Sequence, residues 1–234
     1  MFKTIVVIPC YKVDKYIFDV LNKIPFKQIY KVILVDDCCP NKTGKLVKKK
    51  NNNRKLKIIF LKKNLGVGGA TKKGIRAASK YKPDNIIKID GDGQHNPKFL
   101  TEFINLQKKN PDSYIKGFRK LNYDTIPLAR YLGNFLITLI LKSLTNNDNL
   151  KDVVNGFISI PKNIYTKLDF KKISNDYFFE QDLIFQINFQ KFEIKQKKIS
   201  TIYNPNIKSS LNELEVILPF LFRYLKLLIF KEKN

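Results

Sequence analysis

Residues 85–99 read NIIKIDGDGQHNPKF, an apolar run, Ile86-Ile87-Lys88-Ile89, that passes without a break into Asp90-Gly91-Asp92. A continuous run of this kind predicts a strand buried on both faces, as in a parallel sheet, with two carboxylates at its carboxyl end. The pattern repeats upstream in TIVVIP (4–9), KVILVDD (31–37) and KIIFL (57–61). Helical patterns separate these runs: VDKYIFDVLNKI (13–24), GKLVKKK (44–50) and GGATKKGIRAASKY (68–81). Alternation of this sort specifies an α/β fold, a doubly wound, mostly parallel sheet flanked by helices. Ligands of such sheets bind beyond the carboxyl ends of the strands. Pro9-Cys10-Tyr11-Lys12, Asp36-Asp37, Lys62-Lys63-Asn64 and Asp90-Gly91-Asp92 would all meet at that edge.

After Pro111 the pattern loosens into a strand SYIKGF (113–118), a long apolar helix (126–144), a polar loop TNNDNLKD (145–152) and a strand-like run VVNGFISI (153–160). A helix around YFFEQDLIFQINFQK (177–191), a strand EIKQKKISTIY (193–203) and a tail helix follow. There is no internal repeat and no linker rich in Pro, Gly or Ser. The expectation is therefore one domain over 1–210 and an amphipathic C-terminal helix over 211–234.

The 234 residues carry 44 Lys and Arg against 20 Asp and Glu, a formal charge of +24 that suits an anionic partner: nucleic acid, a phospholipid surface or a nucleotide. Only five of the 44 are Arg, and no motif of a nucleic-acid-binding module is present, so nucleic acid is not the expected partner. The three cysteines, Cys10, Cys38 and Cys39, have no metal-ligand spacing and read as reduced thiols of a cytoplasmic protein. MFKTIVVIPCYK has no cleavable-signal pattern. IPLARYLGNFLITLILKSL (126–144) and LEVILPFLFRYLKLLIFKEK (214–233) fall short of the ~20 uninterrupted apolar residues of a spanning helix. Apolar and punctuated by Lys or Arg, they suit helices lying in a membrane interface; the alternatives are a buried core helix for the first and a docking or dimerisation helix for the second. No motif fixes an oligomeric state.

The glycines of LGVGGATKKG satisfy neither the dinucleotide-binding fingerprint nor the P-loop. Gly66, Gly68 and Gly69 could let backbone approach a ligand at a helix start, or serve tight helix-on-sheet packing. DGDG fails as a calcium loop, since His95 stands where its glycine belongs and Thr101 where its closing Glu belongs. In an extended segment, however, residues 90, 92 and 94 project to one side. Asp90, Asp92 and the Gln94 amide would then form a hard-oxygen ligand set for Mg2+ or Mn2+ carrying a diphosphate. His95, the single histidine, has no accompanying nucleophile motif and reads as a residue that positions the loop, touches a phosphate or simply packs.

Taken in order, VVIPCYK, VILVDD, NLGVGGATKKGIRAA, KIDGDGQHNP, YIKGFR, PLARYLGN, DVVNGF and YFFEQDLIFQIN resemble family 2 glycosyltransferases, in particular the polyprenol-phosphate (dolichol-phosphate mannose synthase-like) branch. The resemblance spans about residues 4–210. It implies the A-type glycosyltransferase fold, a nucleotide-sugar donor and, for the branch, a polyprenyl phosphate acceptor at the inner, cytoplasmic face of a membrane. Pro9, Tyr11, Asp37 and Asp90 would hold the nucleoside, Asp92 and Gln94 the metal, and the Gly66–Gly69 turn, with Gly68, would lie alongside the donor. Arg119 and Arg130 stand where the family places arginines for phosphates, and guanidinium forks bind such oxygens bidentately. With a glycan hydroxyl as acceptor instead, Glu180 or Asp182 would be the candidate base; with a phosphate these acids would orient sugar hydroxyls or the arginines. Two departures from the family pattern, Phe118 where an Asn is common and Asp152-Val153-Val154 where Asp-Pro-Thr is common, bear on the acceptor side.

Overall fold

A computed structural model describes residues 2–119 and 128–200, together with Pro219 and Phe222, the side chains of 128–130 excepted. The expected C-terminal helix over 211–234 thus lies, but for those two residues, outside the described part. The strands are β1 (Thr4–Cys10), β2 (Lys31–Asp36), β3 (Leu56–Phe60), β4 (Asn85–Lys88), β5 (Tyr114–Phe118), β6 (Ile158–Pro161) and β7 (Ile194–Lys198). The helices are α1 (Ile17–Asn22), α2 (Thr43–Lys50), α3 (Gly66–Ser79), α4 (Phe99–Lys109), α5 (Leu128–Thr145), α6 (Lys162–Tyr165) and α7 (Phe179–Phe189). Among the described residues they build one seven-stranded sheet, ordered β3-β2-β1-β4-β6-β5-β7.

The β-branched runs form strands because both sides of the sheet are covered. Along β1, Ile5 and Val7 enter one apolar cluster with α3, α5 and α7, while Val6 and Ile8 enter the opposite one with α1, α2 and α4. Strands β3, β2, β1 and β4 pair in parallel, as does β5 with β7, so the mostly parallel expectation holds. The exception is β6, which runs antiparallel between β4 and β5. Helix α4 was not read from the sequence, although Leu100, Phe103, Ile104 and Gln107 line one buried face at helical spacing.

Strand order reverses direction between β1 and β4, which makes the crevice beyond their carboxyl ends the natural ligand site of this topology. A Cβ on Gly91 would come within 3.3 Å of the Pro9 carbonyl, so glycine there lets the β4 tip close on the β1 tip. Helix α5 is two-faced. Ile137, Leu141 and Leu144 are buried, while Leu132, Phe135, Leu136 and Leu139 form an exposed stripe, Phe135 and Leu139 each 53% exposed. The buried face bears out the reading of this segment as a core helix. No described helix is long and apolar enough to cross a membrane.

Candidate active site at the β1–β4 crevice

Lys88 ends β4 beneath the crevice, its side chain only 2% exposed. Its Nζ lies 2.7 Å from Asp90 Oδ1 and 2.8 Å from Glu180 Oε1 of α7. Burial alone would lower the pKa of this ammonium, but the two carboxylates more than offset it and hold Lys88 above its ordinary value. Burial likewise works against the charge on Asp90, and Lys88 overcomes it, leaving that pKa lowered. The Asp90 amide N–H donates to His95 Nδ1 at 3.1 Å. That nitrogen is therefore an acceptor, and the imidazole carries its proton on Nε2. Burial lowers the His95 pKa to about 4, in agreement, so the 3.3 Å approach of His95 Nδ1 to Asp90 Oδ2 is not an ion pair at neutral pH. His95 packs edge-on against Phe157, which favours the positioning role over direct chemistry.

The DGDG segment is a tight turn and not the extended stretch expected from the sequence: Gly93 has φ +79° and the Gln94 N–H donates to Asp92 Oδ1 at 2.9 Å. The alternating projection of residues 90, 92 and 94 is replaced by a turn in which the Gln94 backbone holds Asp92. Burial and the neighbouring charge of Asp90 raise the Asp92 pKa to about 6. Asp92 is thus a partly exposed carboxylate beside a second one, with no described cation of its own within ion-pair distance. These hard oxygen donors fit Mg2+ or Mn2+. Among the described residues no group of three or more His, Cys, Asp or Glu side chains could hold a metal.

Across the crevice, Pro9 is buried in register with Val35, and Tyr11 is 41% exposed just past the β1 end. The paired acids after β2 divide their work. Asp36 accepts from the N–H groups of Cys39 (2.8 Å) and Gly44 (2.6 Å), capping the start of α2. Asp37 accepts from the Leu65 N–H at 2.7 Å, and burial raises its pKa. The glycine turn itself faces protein. A Cβ on Gly68 would lie 2.6 Å from the Ser174 carbonyl oxygen, and Gly69 N–H donates to the Asn175 carbonyl at 2.8 Å. The close-approach role expected of Gly68 toward a donor is corrected accordingly, since the approaching backbone is that of residues 174–176. Gly68→Ala is expected to cost about 1–3 kcal/mol by overpacking, read as a lower urea midpoint.

At the β5 end, Arg119 Nε and Nη2 donate to Asp152 Oδ2 and Oδ1 at 2.7 and 2.8 Å, and the Arg119 N–H adds a third bond. Asn134 of α5 joins at 2.8 Å. Lys116, fully buried, donates to the carbonyls of Asp152 and Asn155. Burial lowers the Lys116 pKa to about 8. Asp152 adopts φ +45° to reach these partners. From sequence it registered only as a departure from the family pattern; its role as a hub emerges from the fold. Arg130 lies in the first turn of α5, and its side chain is outside the described residues. Glu180 is engaged by Lys88, and Asp182 Oδ2 accepts from the Ser174 N–H at 2.8 Å, fixing the loop that covers the glycine turn.

The model of the family described as Glycosyl transferase family 2 matches residues 5–172, well over half the chain. The chain belongs to glycosyl transferase family 2. Among its relatives, the UDP-N-acetylglucosamine–dolichyl-phosphate N-acetylglucosaminyltransferase of Methanococcus voltae is 29% identical over 57% of this chain and 60% of its own length. The dolichol-phosphate mannosyltransferase of Pyrococcus furiosus is 26% identical over 62% of this chain and 41% of its own length. The match thus spans less than two thirds of either relative. Both are in keeping with the polyprenol-phosphate branch that the motifs resemble. The crystal structure of Mycobacterium tuberculosis glucosyl-3-phosphoglycerate synthase, in complex with Mn2+, UDP and glucosyl-3-phosphoglycerate, superposes with a TM-score of 0.69 at 17% identity, covering 95% of this chain and 79% of that one. At that identity the likeness establishes the fold. This family 2 protein is a glycosyltransferase with the A-type, Rossmann-like architecture.

Proposed function

We propose that this glycosyltransferase moves a sugar, with inversion, from a nucleotide diphosphate sugar to a polyprenyl phosphate at the inner, cytoplasmic surface of a membrane. The observation that carries the reading is the Asp90–Asp92 turn at the β1–β4 switch point, with Tyr11 just past the end of β1 and Asp37 just past the end of β2. Pro9, Tyr11, Asp37 and Asp90 would hold the nucleoside, with Asp92, Asp90 and Gln94 holding Mg2+ or Mn2+. Such a cation, when bound, neutralises charge on the departing nucleoside diphosphate. A phosphate monoester with a second pKa of about 6 is already largely deprotonated at neutral pH, so the acceptor oxygen needs no general base. Arg119 and Arg130 would anchor its phosphate. The Asp152 clamp supports this by presetting the Arg119 plane.

The acceptor class draws its support from the two dolichyl-phosphate relatives and from the exposed apolar stripe of α5. A hydroxyl acceptor would need a base, and the two acids available for it, Glu180 and Asp182, are engaged by Lys88 and the Ser174 N–H. Thermal unfolding in the presence of UDP-, GDP- and dTDP-sugars, with and without Mn2+, is expected to give a rise for one nucleotide that requires metal. Radiolabelled donor incubated with polyprenyl phosphate should then yield an organic-soluble product cleaved by mild acid. Label appearing only in water-soluble glycan would contradict the acceptor.

A further inference from the structure

Lys88 stands in a place where an apolar residue would satisfy the sheet. Its β4 neighbours Ile86 and Ile87, and Ile89 just beyond, are fully buried, and Lys88 itself is 1% exposed. A buried ion pair is on average no more stabilising than well-packed apolar residues of similar volume, because two charges must be desolvated. Stability alone therefore does not account for an ammonium here.

The geometry points to another use. Lys88 Nζ is shared between Asp90, whose side chain is 29% exposed toward the crevice, and Glu180, whose side chain is 7% exposed in α7. Lys88 is the one described Lys or Arg within ion-pair distance of Asp90. Gly156 makes the room. A Cβ there would collide with Lys88 Nζ and stand 2.8 Å from Asp90 Oδ2 and 3.2 Å from Glu180 Oε1. Three elements, β4, α7 and the loop before β6, thus meet on one ammonium.

We propose that Lys88 is a positioning residue for the transfer reaction: seated between Glu180 and Asp90 in the space left by Gly156, it fixes the Asp90 carboxylate in the orientation that receives the nucleoside. The inference rests on the proposed function, in which Asp90 touches the donor and Lys88 does not. Glu180 holds the ammonium from the side of α7, so that Lys88 keeps one oxygen of Asp90 fixed. This use of Glu180 replaces its reading as a base.

Two variants test the proposal by different routes. Lys88→Met removes the ammonium; Gly156→Ala leaves every charge in place and only displaces it. Binding of UDP, GDP and dTDP with Mn2+ is measured calorimetrically, and transfer kinetically, well below each variant's unfolding midpoint. For the nucleotide that the wild type binds, both variants are expected to raise Kd and donor KM by about ten- to a hundredfold, with acceptor KM unchanged. A lower unfolding midpoint with unchanged donor Kd and KM in folded Gly156→Ala would overturn the proposal and leave the proposed function standing. If the wild type binds none of the three nucleotides, both fall together.

Discussion

Replacing Asp92 by alanine is expected to reduce sugar transfer by at least about a hundredfold, the scale seen when a preorganised charge-stabilising group is removed. Asp92 is the carboxylate of the pair that Lys88 does not neutralise, and burial beside Asp90 already raises its pKa to about 6. It is thus the acid best placed to gain from a divalent cation. The same crowding sets the sign of the effect on stability. With no divalent ion present, Asp92→Ala removes a charge that Asp90 repels, so at pH 7 the melting temperature should hold or rise slightly, less the loss of the bond from the Gln94 N–H. Asp92→Asn keeps that acceptor and separates the two contributions. Loss of activity in a variant as stable as the wild type identifies a functional carboxylate. Retained activity would remove Asp92 from the chemistry.

Asp152→Ala should give the largest loss of stability, about 3–5 kcal/mol, read as a lower urea midpoint. The carboxylate is 1% exposed and accepts from Arg119 and from Asn134, so its removal takes a buried acceptor from both. The backbone adds to the cost, because φ +45° disfavours alanine more than aspartate or asparagine. Asp152→Asn should therefore be milder, keeping one carbonyl acceptor and tolerating the conformation. Both variants weaken the hold on Arg119, the alanine more than the asparagine, so transfer should fall further than stability alone explains. Equal midpoints for Asp152→Ala and the wild type would contradict the clamp.

The sheet was legible because fully buried strands leave an unmistakable trace: uninterrupted apolar runs rich in Val and Ile, such as Ile5 to Ile8 and Val32 to Val35, each followed by polar residues at the same edge. The proposed position of the site follows from that edge. Direction was less legible, since an apolar run reads alike whichever way it pairs, and β6 proved antiparallel. Helix α4 is hard to read because its apolar positions Leu100, Phe103 and Ile104 span little more than one turn and the next buried position is the polar Gln107. Glycines are mute about what approaches them: Gly68 answers to the Ser174 carbonyl, and Gly156 to Lys88. Lys88 and Asp152 were missed for a related reason. A buried charge is explained only by partners far away in sequence, here Glu180 and Arg119. Its one local sign was a lysine inside a run of isoleucines.

Calorimetric titration of the wild type with UDP-, GDP- and dTDP-sugars, in excess Mn2+ and again in excess chelator, tests the assignment of the β4 tip most directly. Binding of one donor that needs the metal in the wild type, and that is weak in Asp92→Ala even with metal, is the predicted result. Affinity that is indifferent to chelator and to Asp92 would contradict it.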